Sequence, residues 1–184
     1  SGVTCTIWLD GGAIVTGVDV SEAMLAVASA RTNGKADLIQ ADASVWRSDA
    51  PFDLAVSQFG VMFFADPEAA FVNIAANLRQ GGRLVFACWR AVAENYWTAV
   101  PMSAIRDLVP PAPPPEPHAP GPFAFADSQR LGEILARAGF ANVTFNPVDF
   151  PVCLASEGGA EAAARFALHV GPAASALAEA GNET

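Results

Sequence analysis

The 184-residue sequence is poor in basic residues, and its few lysines and arginines form no cluster. Ten Lys and Arg stand against 19 Asp and Glu, which gives a formal net charge of −9 at pH 7. An acidic chain repels phosphate backbones, so nucleic acid is not an expected partner. No apolar run reaches the roughly 18 residues of a membrane span, and no export signal is visible. We therefore expect a cytoplasmic protein without a membrane span.

Cysteine and histidine are also scarce. Cys5, Cys88 and Cys153 are an odd number and lie far apart, which predicts reduced thiols packed as small apolar side chains. Three scattered cysteines and two histidines lack the spacing of a zinc site, so no metal is predicted. No Ser/His/Asp set occurs, and the catalytic residues stay unknown. His118 is the only centrally placed group that titrates near pH 7, either as a general base or as a surface histidine, and His169 is interpreted as structural or exposed.

Apolar residues are abundant: 52% of the chain is hydrophobic against 16% charged, over a length typical of one domain. Residues 14–18 form a short apolar run that predicts a buried strand. Asp19 follows at its end, and a run of helix formers, 22–30, begins after Ser21. In a nucleotide-binding βαβ unit, such a strand-end acid accepts hydrogen bonds from both ribose hydroxyls. The alternative is that Asp19 caps the helix beside Ser21.

Further strands alternate with helix-length segments in the first half of the chain. A strand predicted at 36–42 again ends in an acid, Asp42, whose alternative role is that of a turn residue. Strands are also predicted at 51–59 and 83–89. A helix predicted at 66–78, with Pro67 in its first turn, is stopped by the glycines at 81 and 82. This alternation predicts an α/β fold with a doubly wound, mostly parallel sheet and helices on both faces.

The beginning of the chain does not fit that sheet. Residues 3–9 have strand composition, yet only Gly11 and Gly12 lie between them and the strand at 14–18. A parallel crossover needs about a dozen residues or more. Either the two strands pair antiparallel, or a loop and helix of about twenty residues are missing after Asp10.

The second half of the chain is organised differently. Residues 110–122 hold eight prolines in thirteen residues, which indicates an irregular or polyproline segment, either an exposed linker or a lid. Helices are predicted at 94–108 and 129–138, and an Ala-rich helix at 159–184 is expected to break at Gly171 and Pro172. Strands at 140–145 and 148–154 contain or adjoin Pro147 and Pro151, so they are expected near a sheet edge.

Six short segments, in order and at characteristic spacing, resemble the class I S-adenosylmethionine-dependent methyltransferases. The likeness is to the small-molecule type related to the ubiquinone and menaquinone methyltransferases. The segments are VTGVDVSEAML at 15–25, QADA at 40–43, FDLAVSQF at 52–59, LRQGGRLVF at 78–86, FAFAD at 123–127 and AGF at 138–140. The resemblance implies a single Rossmann-like methyltransferase domain over residues 1–184. Its cofactor-binding half would be 1–89, its lid or substrate segment 90–126 with the Pro-rich loop 110–122, and its C-terminal portion 127–184. The likeness also favours a missing loop and helix after Asp10, where the family has a glycine-rich loop, and a missing last strand, because nothing after Gly181 has strand composition.

The resemblance also implies S-adenosylmethionine as the cofactor and a role for particular residues. Asp19 would hold the ribose hydroxyls, with Val20 and Met24 beside the adenine. Asp42 would accept from the adenine amino group, and the Ala43 backbone would lie against the ring. The remaining implied residues are Asp10, Gly11 and Gly12 at the place of the family's glycine-rich loop, Ser57, Gln58 and Phe59 on the floor of the site, and Phe63, Trp89, Tyr96 and Trp97 around an acceptor pocket.

The predicted function is methyl transfer to a small, apolar or aromatic molecule. One alternative is a non-catalytic protein that keeps the fold as a binding or scaffold subunit. A second is an NAD-linked oxidoreductase, which is disfavoured because the chain contains no Gly-x-Gly-x-x-Gly motif. The expected partner is the small-molecule substrate, and formation of a homodimer stays open.

Overall fold

The computed structural model describes residues 2–110, 116, 118–155 and 157–182. Its strands, in chain order, are β1 Thr16–Asp19, β2 Asp37–Gln40, β3 Phe52–Gln58 and β4 Leu78–Ala87. Its helices are α1 Val3–Asp10, α2 Glu22–Thr32, α3 Pro67–Ala76, α4 Tyr96–Ile105, α5 Ser128–Arg137, α6 Gly159–Ala167 and α7 Pro172–Asn182, with short 3-10 helices at Val61–Phe63 and Val92–Glu94. Among these described residues, no helix is long and apolar enough to cross a membrane.

The strands pair in parallel, as the alternation of strands and helices predicts. β1 lies beside β2 in unbroken register from Thr16 opposite Asp37 to Asp19 opposite Gln40. β3 lies beside β4 in the same way, with Gln58 opposite Ala87. The predicted α/β class, consistent with a Rossmann-like methyltransferase fold, is thereby confirmed, although the strands form two small sheets of two strands each.

The strand predicted at residues 3–9 is wrong, because this segment is helix α1. The composition of a short segment predicts its secondary structure only weakly, because packing against neighbouring elements can override it. Gly2 precedes α1 with a φ of 77°, and a Cβ atom there would lie only 2.7 Å from Ala28 Cα on α2. A Cβ at Gly17 on β1 would lie 3.3 Å from Cys5 Sγ, so α1 also covers β1.

The turn after α1 settles the question raised at the first crossover. Gly11 and Gly12 donate their N–H groups to Ile7 O and Leu9 O, so they close the last turn of the helix. The chain then runs from this turn directly into β1. The spacing argument for about twenty missing residues after Asp10 depended on a strand at 3–9, and it falls with the helix. That the family's glycine-rich loop is missing here stays a prediction.

Helices α2 and α3 begin where local capping chemistry places them. The Ser21 hydroxyl accepts a hydrogen bond from Met24 N at the start of α2, and the Asp66 carboxylate does the same for Ala69 N at the start of α3. Helix α3 ends at Ala76 rather than at 78, because the chain enters β4 at Leu78. The glycine pair predicted to stop α3 instead lies inside β4, where the pairing with β3 shifts register.

The apolar core lies on one face of the β3–β4 sheet. Its most deeply buried side chains are Met62 from the 3-10 helix, Phe71 from α3 and Leu131 from α5, each at most 1% exposed. Leu84 and Phe86 pack against this cluster from β4. Phe125, just before α5, completes it, which fixes the position of α3 between the sheet and α5.

The C-terminal half confirms its predicted helices but not its strands. Helices α4 and α5 lie within the predicted ranges to within a residue, and the tail helix is interrupted between Ala167 and Pro172 as expected. Residues 140–155 contain no strand, which corrects the predictions at 140–145 and 148–154. Pro147 and Pro151 lack the N–H that a strand ladder needs. Most of 110–115, the start of the Pro-rich segment, lies outside the described residues, so the choice between linker and lid stays a prediction.

Candidate functional site

The carboxyl ends of β1 and β2 lie side by side. Asp19 is the last residue of β1, and its backbone oxygen accepts a hydrogen bond from Ala41 N at 3.1 Å. Gln40 Nε2 donates to Val20 O at 3.2 Å, which ties the two strand ends together again. Asp42 follows one residue after Ala41. Both predicted acids therefore leave the small sheet at the same edge, where ligands bind in open α/β folds.

Asp19 is held in a fixed orientation without being the cap of α2. One of its oxygens, Oδ1, accepts from Ser21 N at 2.9 Å, whereas the capping bond to the helix comes from the Ser21 hydroxyl. The other carboxylate oxygen has no partner recorded among the described residues. Val20 and Met24, next to the acid, leave 66% and 42% of their surface exposed. The strand end thus combines an available acceptor with an uncovered apolar surface.

Asp42 is exposed, and hydrogen bonds within its own turn favour the ionised form of its carboxylate. The Ser44 hydroxyl, and then the Ser44 N–H at 2.8 Å, hydrogen-bond to its carboxylate and hold its pKa below the usual 3.8. The ionised carboxylate accepts hydrogen bonds and cannot donate them. Val45 N and Trp46 N both donate to the backbone oxygen of Asp42, which closes the turn. The turn therefore presents a permanent acceptor beside β1.

The end of β3 carries the second predicted group, Ser57, Gln58 and Phe59. Phe59 has a φ of 60°, an uncommon left-handed conformation for a bulky residue that costs on the order of 1–3 kcal/mol. Its N–H donates to Ala87 O at 3.1 Å, and its ring stacks on Trp89 with 4.4 Å between centroids. Gln58 Oε1 lies 3.4 Å from the Thr4 hydroxyl, so α1 reaches this strand end as well.

An aromatic cluster extends from Phe59 towards the C-terminal helices. Trp89 packs on Trp97 at 5.2 Å and on Phe150 at 6.1 Å, and Trp97 packs on Phe123 at 6.4 Å. The Trp97 indole nitrogen is buried and has no hydrogen-bond partner among the described residues. Trp97 also borders a small cavity between α4, α6 and α7 that has room for about one water molecule.

The structure brings together only part of the predicted acceptor pocket. Trp89 and Trp97 join Phe59 in one cluster, whereas Phe63 and Tyr96 are largely exposed and take no part in it. Phe150 was missed as a pocket residue, because its segment has the composition of an edge strand. No local signal in the sequence indicates that this segment passes over Trp89.

The remaining predicted positions lie away from these strand ends. Asp10, Gly11 and Gly12 form the C-terminal turn of α1, roughly 9 Å along the helix from Thr4. The cofactor role predicted for them depended on a strand at 3–9, and the helix removes that argument. His118 is exposed, and His169 Nδ1 lies 2.8 Å from Arg165 O. Neither histidine belongs to the aromatic cluster described above.

The cysteines are free thiols, as predicted, although not all are packed. Cys5 and Cys88 are partly buried, and burial raises the pKa of the Cys88 thiol, so it stays protonated at neutral pH. Cys153 is exposed, which corrects the expectation that all three pack as apolar side chains. Within the described ranges, no group of three His, Cys, Asp or Glu side chains could hold a metal ion.

Comparison with known proteins gives one match, and it covers these strand ends. None of the curated proteins compared with the chain matches it. Residues 1–86 match a family model described as a methyltransferase domain. The matched range contains Asp19, Asp42 and the end of β3, whereas the predicted relation to ubiquinone and menaquinone methyltransferases stays a prediction. The half of the chain that carries the two acids is therefore similar to a methyltransferase domain, which supports methyl transfer as its general chemistry.

Proposed function

We propose that this protein transfers the methyl group of S-adenosylmethionine to a small apolar or aromatic acceptor. The observation that supports this most is the pair of acids, Asp19 and Asp42, on neighbouring strand ends within the region similar to a methyltransferase domain. Adenosine carries the complementary donors, two ribose hydroxyls and one amino group. Two carboxylates that only accept hydrogen bonds suit this ligand.

The residues at the strand ends fit the adenosine part of the cofactor. Asp19 has one carboxylate oxygen engaged by Ser21 and the other available for ribose. Val20 and Met24 expose apolar surface that the adenine ring can cover. Burying both the ring and these side chains removes apolar area from water, which favours binding beyond the hydrogen bonds.

The aromatic cluster at Phe59, Trp89 and Trp97 supports an apolar or aromatic acceptor. When bound, S-adenosylmethionine supplies an activated methyl group on a sulfonium. The task of the protein is then to orient the acceptor and to exclude water, and flat aromatic side chains do both.

Calorimetric titration with S-adenosylhomocysteine, the demethylated product, tests the proposal. We expect saturable 1:1 binding, and no binding of NAD at the same concentrations. Binding of NAD without S-adenosylhomocysteine would favour an oxidoreductase, and absence of both would favour a non-catalytic scaffold. A panel of small aromatic acceptors, with formation of S-adenosylhomocysteine as the readout, then tests catalysis. Binding without turnover on any acceptor would contradict the enzymatic part of the proposal.

A further inference from the structure

The loop between β2 and β3 carries Asp42 and Ala43, and it is fastened to helix α3 by a buried amide. Asn73 is only 6% exposed, and its side chain contacts this loop instead of the apolar core. Its side-chain nitrogen donates to Ala43 O at 3.0 Å and to Trp46 O at 2.9 Å. Both donor positions of the amide are therefore used on this one loop.

A second amide, one helical turn later, reinforces the attachment. Asn77 Nδ2 donates to Trp46 O and to Asn73 O, both at 3.0 Å, and Asn77 Oδ1 accepts from Ser48 N at 2.8 Å. Arg47 also reaches Asn73 O from the loop at 3.4 Å. The backbone of the loop is thus held from outside by side chains of α3 and its C-cap.

Near Asp42 the contacts recorded for the described part of the loop are hydrogen bonds. Val45 is exposed, and the aromatic contact of Trp46 with Phe52 lies further along the loop. The turn around Asp42 is closed by bonds from Ser44, Val45 and Trp46, and its start is tied to β1 by the bond from Ala41 N to Asp19 O. The side after Asp42 has no such bond to β1 among the described residues. Two hydrogen bonds thus attach the neighbours of Asp42 to the body of the protein: Ala41 N donates to Asp19 O on the side before it, and Asn73 Nδ2 donates to Ala43 O on the side after it.

We propose that Asn73 is a positioning residue for cofactor binding: it holds Ala43, and through it the Asp42 carboxylate, beside the end of β1. This inference rests on the proposed function, since it assigns Asp42 and Ala43 to the adenosine site. Asn73 itself lies under the loop and acts on the ligand only through the loop backbone. Its loss should weaken cofactor binding more than a purely structural residue of equal burial would.

The chain offers a matched control for this experiment. Asn95 is also buried, and its Nδ2 also donates to two backbone oxygens, Arg90 O at 3.0 Å and Ala91 O at 2.9 Å. It holds a segment that carries none of the predicted adenosine contacts. Asn73→Ala and Asn95→Ala therefore remove the same group from the same kind of environment.

Calorimetric titration of both variants and the wild type with S-adenosylhomocysteine tests the inference. We expect both variants to lose thermal stability, and Asn73→Ala alone to raise the Kd, roughly tenfold or more. Asn73→Ser, which keeps one donor, should give an intermediate Kd and serves if the alanine variant does not fold. If wild-type protein binds S-adenosylhomocysteine and the Asn73 variants bind it equally well, or if Asn95→Ala weakens binding as much, the inference is overturned. A wild-type protein that does not bind overturns the proposed function as well.

Discussion

Replacing Asp19 by Asn gives the sharpest measure of the proposed cofactor site. The exchange keeps the shape of the side chain and leaves Oδ1 able to accept from Ser21 N, so the turn into α2 should survive. The atom that changes is the one without a partner among the described residues. It becomes an amide nitrogen, which donates hydrogen bonds and cannot accept them from a ribose hydroxyl.

The size of the effect follows from the bonds that are altered. A hydrogen bond to a charged group contributes about 1.5–3 kcal/mol, and one between neutral groups about 0.5–1.5 kcal/mol. The exchange removes one charged acceptor and makes the other neutral, and Asp19 is only partly buried, so we take the lower part of the range. A loss of about 1.5–2 kcal/mol corresponds to a roughly 12- to 30-fold higher Kd for S-adenosylhomocysteine.

The assay is calorimetric titration of wild type and variant at one ionic strength, with Asp37→Asn as the control. Asp37 is an exposed acid at the opposite end of the same sheet, where it pairs with Thr16, and its exchange makes the same change in net charge. We expect the control to bind as the wild type does. A Kd for Asp19→Asn within about threefold of the wild-type value would refute the reasoning, because about 0.6 kcal/mol is well below the roughly 1.5 kcal/mol that a hydrogen bond to a charged group contributes at least.

Three further predictions concern the fold around the site. Phe59→Gly should unfold in urea with a free energy about 0.5–1 kcal/mol higher than Phe59→Ala, because only glycine is unstrained at a φ of 60°; equal values would contradict the strain. Leu131→Ala should lose about 2–5 kcal/mol of unfolding free energy, and the exposed Leu108→Ala less than about 0.5 kcal/mol; similar losses would place the core elsewhere. In a carbon-13 NMR titration, Asp42 should protonate below pH 3.8, because the hydrogen bond from Ser44 favours its ionised form and is lost as the pH falls through the lowered pKa. Ser44→Ala should raise the titration midpoint of Asp42 towards 3.8, and an unchanged midpoint would exclude Ser44 as the cause.

Local patterns predicted those parts of the fold that local chemistry decides. Asp66 and Pro67 determine where α3 begins, and the alternation of apolar runs with helix formers predicted the four paired strands within a few residues. Residues 3–9 were assigned wrongly because their conformation depends on packing against α2 and β1, which the segment itself does not reveal. The strands predicted at 140–154 have suitable composition but no neighbour to pair with, and a strand exists only as part of a ladder.

In the candidate site, too, some residues could be predicted from local patterns and others could not. Asp19 and Asp42 could be found because each follows an apolar run, and parallel pairing then brings strand ends together at one edge. Asn73 could not be found, because in the sequence it is a single polar residue in the apolar second half of a helix, thirty positions from the Ala43 oxygen that it binds. Only the tertiary structure shows which backbone oxygens it satisfies.

Helix α3 connects the apolar core with the candidate site, since one side of it packs in the core and another side supports the loop of the site. Phe71 is fully buried among Phe86 and Phe125, while Asn73, two residues later, binds the loop that carries Asp42. In a helix, positions two apart point in clearly different directions, so the two functions need not compete for the same surface. The core fixes where α3 lies, and α3 in turn fixes where the loop lies. A cofactor that binds between the two strand ends needs this arrangement in place, so it should bind the folded state alone and raise the free energy of unfolding by RT ln(1 + c/Kd), where c is the concentration of free cofactor.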